Sequence, residues 1–284
     1  MLLSTDNRIP RIIHYCWFGE KDYPEDIKKC IESWKILDNY QFVRWDESNC
    51  SFDENEFVKA AYKEKKYAFL SDYYRLKALY EYGGIYLDTD IIINKKLDKF
   101  LKHKGFAGFF SDCSIGTAVI GSAAGNEIIR DIIRMYDNAV LLPENQRKNK
   151  KELSVKNQKL YSYGFATNNY FFTYYFLNKF KGVKLNNKYQ EFEDFAIYPK
   201  EVFEVGNFFR EHYCLHLCKG DWRDNKENDN NLEERIDSLF RNSCYFNFFL
   251  KMIIRKKRYW VLKKDVPFYD YYLAQKRNKK IPEI

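Results

Sequence analysis

Two carboxylates one residue apart, Asp88-Thr89-Asp90, sit between the apolar runs Ile85-Tyr86-Leu87 and Ile91-Ile92-Ile93. On a continuous strand the side-chain period of two turns both acids to one side, where they can converge on a hard divalent cation. Two anions that close repel each other unless a cation offsets them, so a buried pair is costly without one. Taken alone, the pair could equally be two surface acids at a strand end. The segment before it adds weight. Asp72 and Arg75 are three residues apart on a periodic helical stretch and therefore share a face. The Gly83-Gly84 pair would turn that helix back beside the strand. A carboxylate, a guanidinium and a D-x-D within 19 residues suit a nucleotide diphosphate. Asp72 would take a ribose hydroxyl, Arg75 a phosphate or the base edge, and the cation the diphosphate. The plainer alternative for Asp72 and Arg75 is a helix-surface ion pair worth little.

The elements that must position these residues alternate between strand and helix. Residues 9–19 form an apolar run ended by glycine, which predicts a buried first strand. Pro24 to Trp34 reads as a helix with proline at its first position and acids in its first turn. Tyr40–Trp45 alternates as a second strand, and Phe57–Lys65 is a short helix. The segment from Ser71 to Tyr82 predicts a strong helix capped by Ser71, striped by Leu76, Leu79 and Tyr80, and stopped by the glycines. Ile85–Ile93 is expected as one central strand. Further strands are expected at Gly116–Gly121, Phe195–Tyr198 and Tyr213–Leu217, and helices at Asn126–Tyr136 and after Tyr170. Residues 143–160 read as a lysine-rich surface loop. This order predicts an α/β fold on a mostly parallel sheet. In such sheets ligands sit beyond the carboxyl ends of the strands, where Asp88 and Asp90 fall.

At 284 residues, the chain is long enough for one large domain with a modest appendage. Gly 12 and Pro 6 exclude collagen-like and low-complexity readings. No stretch approaches the roughly 20 apolar residues of a membrane-spanning helix, and residues 1–8 have no apolar core of a secretory leader, so a cytoplasmic location is expected. The seven cysteines are scattered, as free thiols would be. Cys214 and Cys218 do cluster with His212 and His216, but the C-x-x-x-C spacing and the lack of a second pair argue against zinc. Charge is uneven. Residues 241–280 hold twelve Lys/Arg against Asp265 and Asp270, a net +10, so the rest of the +8 chain carries −2. Phe246, Phe249, Leu250 and Ile253 recur at helical spacing there, flanked by Lys251, Arg255, Lys256 and Arg258. The expected organisation is a body over 1–238 and a basic amphipathic helical tail over 239–284. That tail either lies on an anionic membrane surface or packs on the body. Nucleic acid is not an expected partner, because no motif for it accompanies the patch.

Three strings, in order over residues 9–222, resemble the DXD-containing glycosyltransferases of family 32, bacterial capsule and O-antigen sugar transferases with distant similarity to the glucosylating domains of clostridial toxins. They are Ile9-Pro-Arg-Ile-Ile-His-Tyr-Cys-Trp17-Phe-Gly, Ser71-Asp72-Tyr-Tyr-Arg75 through Gly-Gly-Ile-Tyr86-Leu-Asp88-Thr-Asp90, and His216-x5-Trp222. The resemblance implies a GT-A, Rossmann-like fold, a Mn²⁺ or Mg²⁺ cofactor, a nucleotide-sugar donor and transfer with retention. Carried over by position, it implies that Trp17 stacks on the base and that Asp72 and Arg75 hold ribose and donor. Tyr86 stands beside the D-x-D, Asp88 touches sugar or ribose and partly the metal, and Asp90 ligates the metal. His216 and Trp222 belong to the segment that closes over the diphosphate. Asp221 stands where relatives usually carry serine, which makes it, with His216, an added candidate for the metal. Mn²⁺, Arg75 and the Trp222 N–H would stabilise the leaving diphosphate; retention could run by front-face attack, the favoured route, or through a covalent carboxylate intermediate. The expected donor is a UDP-sugar, and the acceptor a glycan or lipid-linked glycan at the inner membrane face. The stretch from Tyr161 to Tyr175 is a candidate acceptor side.

Two rivals remain at this stage. A haloacid-dehalogenase-like phosphatase also places D-x-D after an apolar strand, though Gly220-Asp221-Trp-Arg-Asp224 is one residue short of its late acidic motif. A non-catalytic membrane-docking adaptor would use the tail alone.

Overall fold

Ile12–Cys16 form strand β1, helix α1 spans Glu25–Ser33, and Gln41–Trp45 form β2. Helices α2 (Glu56–Lys63) and α3 (Tyr67–Tyr82) precede β3 (Gly84–Leu87) and β4 (Ile91–Ile93). There follow β5 (Gly105–Ser111), β6 (Ser114–Ser122), α4 (Glu127–Asp137), β7 (Val140–Leu141), β8 (Ser154–Lys156) and β9 (Lys159–Ser162). Helix α5 (Asn168–Lys179), β10 (Gln190–Phe192), β11 (Phe195–Tyr198), α6 (Lys200–Phe203), β12 (Cys214–His216) and α7 (Tyr269–Lys276) complete the order. The structure, a computed structural model, describes residues 8–19, 21–138, 140–141, 154–156, 159–162, 167–205, 211–218 and 268–281. Among the described residues no helix is long and apolar enough to cross a membrane.

The main sheet has seven strands in the order β10-β11-β5-β6-β3-β1-β2. Strands β2, β1, β3, β5 and β11 run one way, and β6 and β10 run against them. This is the expected α/β class: a mixed, mostly parallel sheet flanked by helices. The period of two sorts its side chains between two cores. Tyr86 enters a cluster with Leu76 and Leu79 of α3, whereas Ile85 and Leu87 enter the opposite one with Trp34, Phe100 and Phe203. The β1–β3 pairing needs a glycine at 84. Its φ is +115°, and a Cβ there would stand 2.6 Å from the Ile12 carbonyl oxygen.

Three expectations need correction. Helix α3 begins at Tyr67, not Ser71, because Tyr67-Ala-Phe-Leu70 is itself helical and buries Phe69 and Leu70. Ser71 therefore caps nothing, and its hydroxyl donates back to the Tyr67 carbonyl at 3.1 Å. The run 85–93 is not one strand. The Ile91 N–H donates to the Asp88 carbonyl at 3.1 Å, closing a turn. Beyond it β4 leaves the main sheet to pair antiparallel with β12. The expected loop 143–160 contains strand 154–156 and the start of strand 159–162, which pair antiparallel. Of the C-terminal segment, 268–281 packs on the body: Phe268 and Tyr272 are buried, and the Phe268 ring stacks on Tyr170 at 4.9 Å. The stripe 246–253 lies outside the described residues.

Candidate active site

Arg75 projects from α3 onto the end of β3. One guanidinium nitrogen lies 2.9 Å from Asp72 Oδ1 and 3.2 Å from Asp88 Oδ1. Another donates to the Thr117 carbonyl on β6 at 2.7 Å, and Nε donates to the Ser71 carbonyl at 3.2 Å. Its Cζ lies 4.4 Å from the centre of the Tyr86 ring, a cation–π contact. With 5% of its side chain exposed, Arg75 is locked by five neighbours and is no surface ion pair. Tyr86 in turn donates its hydroxyl to Asp88 Oδ1 at 3.0 Å.

The two acids of the D-x-D converge through the turn and through β12, not through strand alternation. Register pairs His216 with Ile91, and the Leu217 N–H donates to the Asp90 carbonyl at 3.0 Å. This places His216 Nε2 3.3 Å from Asp90 Oδ1. Ligating atoms of Asp88, Asp90 and His216 all lie within 4.8 Å of one another. Two ligand atoms that share one six-coordinate cation at 2.1–2.4 Å sit roughly 3.0–3.4 Å apart, so the His216–Asp90 spacing fits a common ion. On its other side His216 meets Glu204, Nδ1 to Oε2 at 2.6 Å. Glu204 follows α6 and is 4% exposed.

Charge balance points the same way. Asp72, Asp88, Asp90 and Glu204 face Arg75 and His216, an excess of acids over bases in a place that is buried at Asp72, Arg75 and Glu204 and partly open at the other three. Burial, with Asp88 nearby, pushes the Asp72 carboxyl up to about 7 although Arg75 opposes it. Burial and Asp90 likewise raise Asp88 against Arg75 and His216. Burial disfavours the His216 charge, but Cys218, Asp90 and Glu204 together outweigh that and hold its pKa well above the ordinary range. Burial is the main cause of the raised carboxyls, with the neighbouring acids adding to it, and a divalent cation placed among them would offset that repulsion.

The expected residues thus divide into three groups. Asp72, Arg75, Tyr86, Asp88, Asp90 and His216 come together. Trp17 stands at the end of β1, partly exposed, with its indole N–H on the Lys21 carbonyl at 2.6 Å and its ring 4.8 Å from Tyr23. It follows Cys16, a buried thiol that interacts with Tyr86, Arg75 and Asp88. Asp221 and Trp222 lie outside the described residues. The sequence reading missed Glu204 and Thr117, and it covered Asn168-Asn169 only as part of the Tyr161–Tyr175 stretch expected on the acceptor side. The Asn168 N–H donates to Asp72 Oδ2 at 3.0 Å, and Asn169 Oδ1 accepts from Thr117 at 2.7 Å. Asn168 Oδ1 is buried and has no hydrogen-bond partner among the described residues. The one available signal was two adjacent asparagines opening an aromatic helix.

Residues 24–107, which contain α1 through the D-x-D, match the family described as glycosyltransferase sugar-binding region containing DXD motif. The chain is 31% identical over 134 residues to inositol phosphoceramide mannosyltransferase 3 of Schizosaccharomyces pombe, covering 44% of this chain and 36% of that protein. It is 28% identical over 139 residues to a mannosyl phosphorylinositol ceramide synthase of Saccharomyces cerevisiae, covering 46% and 36%. A mimivirus protein called an uncharacterized glycosyltransferase is 35% identical over 111 residues, covering 36% of this chain and 43% of that one. The chain thus spans a little over a third of the length of the first of these relatives. Among solved structures, the PaToxG glycosyltransferase is similar at TM-score 0.45 and 21% identity, over 62% of this chain and 71% of that one. A glycosyltransferase involved in glycosylation of the PBCV-1 major capsid is similar at TM-score 0.42 and 12% identity, over 74% and 93%.

Proposed function

We propose that this chain, whose residues 24–107 match the DXD sugar-binding region of glycosyltransferases, is a metal-dependent glycosyltransferase that moves a hexose from a nucleotide diphosphate to a glycolipid or lipid-linked glycan. One observation carries the reading: the strand β12 delivers His216 to the D-x-D turn, so that Asp88, Asp90 and His216 offer ligand atoms within 4.8 Å of one another. Those three side chains would hold Mn²⁺ or Mg²⁺, which when bound sets positive charge against the donor diphosphate. Arg75, fixed by Asp72, Asp88 and Tyr86, presents a second cation that needs no rearrangement as charge builds on the leaving group. Asp72 and the Asn168 oxygen, which has no partner among the described residues, offer acceptors for ribose or sugar hydroxyls. Asp72, Asp88 and Asp90 are each engaged by Arg75 or His216. That favours retention by front-face attack over a free carboxylate nucleophile.

The two yeast relatives are named as an inositol phosphoceramide mannosyltransferase and a mannosyl phosphorylinositol ceramide synthase, so a mannosyl donor is the first candidate beside the UDP-sugars. A glycolipid acceptor fits a basic C-terminal segment that draws the enzyme to an anionic membrane surface. A role in bacterial surface polysaccharide, at the cytoplasmic membrane face, belongs to the same proposal. The test is a thermal-shift matrix of Mn²⁺, GDP and UDP, followed by hydrolysis of a nucleotide-sugar panel. Mn²⁺ with one diphosphate should stabilise the protein more than either alone, and Asp90→Asn should lose both that effect and hydrolysis. Full activity in Asp90→Asn would reject the reading.

A further inference from the structure

His216 has a second set of neighbours besides the acidic pair. Ligating atoms of Glu204, His216 and Cys218 also lie within 4.8 Å of one another. Glu204 is buried against the His216 Nδ1 at 2.6 Å. Its place is kept by a glycine, since a Cβ on Gly116 would stand 2.6 Å from Glu204 Oε1. Cys218 is a free, partly buried thiol two residues beyond His216, on a left-handed backbone at φ 51°. A thiolate sulfur, an imidazole nitrogen and a carboxylate oxygen are a zinc set with a fourth position for water. Mn²⁺ and Mg²⁺ prefer the oxygens of the D-x-D.

One neutral imidazole offers one lone pair. With its proton on Nδ1, shared with Glu204, the ring ligates through Nε2 on the Asp90 side. With its proton on Nε2, given to Asp90 3.3 Å away, it ligates through Nδ1 on the Glu204–Cys218 side. The two forms exclude each other. We infer that Glu204, His216 and Cys218 form a zinc site, and that zinc there antagonises the cation at Asp88 and Asp90 through the His216 tautomer. Binding releases the Cys218 thiol proton to solvent, while the ring keeps its one proton, on Nε2 toward Asp90. The zinc site stands apart from the transferase reading, and only the antagonism rests on it.

The experiment uses the full chain, stripped of metal and titrated with Zn²⁺ alone, with zinc-edge X-ray absorption on the loaded protein. One zinc with a sulfur neighbour at about 2.3 Å is expected. Cys218→Ser should lose that sulfur and bind zinc at least tenfold more weakly. Its melting temperature should not change, and its hydrolysis at saturating Mn²⁺ should be retained. Zinc should inhibit hydrolysis by the natural chain, with relief by added Mn²⁺, and should inhibit Cys218→Ser at least tenfold less. A sulfur-free zinc spectrum, or equal zinc affinity in the two proteins, would overturn the site by placing zinc at the acidic pair. Equal inhibition of the two would overturn the antagonism. Should neither protein hydrolyse any sugar nucleotide, titration and spectrum still decide the site.

Discussion

Asp72 shares Arg75 with Asp88, accepts the Asn168 backbone N–H and lies almost out of solvent. Burial holds its carboxyl near 7, against about 3.9 for an exposed aspartate. The folded chain therefore keeps a proton that the unfolded chain gives up. Stability from this group is whole below about pH 4 and is lost as pH rises through 7. In metal-free protein, the stability of the natural chain minus that of Asp72→Asn should fall by on the order of a few kcal/mol between pH 4 and 7. Urea titrations at four or five pH values measure it, and a flat or rising difference would contradict the electrostatic picture. Asp72, Arg75, Tyr86, Asp88 and Asp90 were legible because they fall in one short stretch of ordered motif. Glu204 was not, because a lone glutamate after a short helix has no local pattern. It becomes part of the site only when α6 and β12 bring it to His216.

The element that decides the site is β4 with its partner β12. Trp34, at the end of α1, is buried and donates its indole N–H to the Ile91 carbonyl at 2.8 Å. The Ser33 hydroxyl accepts the Ile93 N–H at 2.9 Å. Helix α1 thus pins the strand that starts one residue after Asp90. Trp34→Phe keeps an aromatic ring and removes the bond to Ile91, leaving a buried carbonyl without a donor at a cost of about 1–3 kcal/mol. A lower melting temperature should come with several-fold weaker Mn²⁺ binding in the presence of GDP or UDP. Lost stability with unchanged binding would show that α1 does not position the turn. The sequence reading placed these strands well and still misjudged the D-x-D. Three isoleucines after Asp90 look like a continuation of the apolar run before Asp88, and the Asp88–Ile91 turn leaves no glycine or proline to mark it. Right residues converged for a different geometric reason.

For the molecule as a whole, the C-terminal segment is more than a charged appendage. Beyond the Phe268–Tyr170 stack, Gln275 accepts from the Leu185 N–H at 2.9 Å and donates to the Val183 carbonyl at 2.8 Å. Removing 268–284 exposes this face of the core and should destabilise the chain by about 3–5 kcal/mol, as loss of a large buried aromatic does. Thermal melts check it, and an unchanged melting temperature would contradict the packing. A membrane role of the tail is therefore better tested by charge reversal at Arg255, Lys256 and Lys257 than by deletion of 241–284. In the proposed function a divalent cation at Asp88, Asp90 and His216, beside the buried Arg75, receives a nucleotide diphosphate. Anomalous difference density from crystals grown with Mn²⁺ and GDP or UDP tests it most directly. The account predicts a manganese peak in contact with Asp90 and His216 and beside Asp88, with the diphosphate completing its shell. Ordered diphosphate with no such peak, or manganese bound elsewhere, would contradict it.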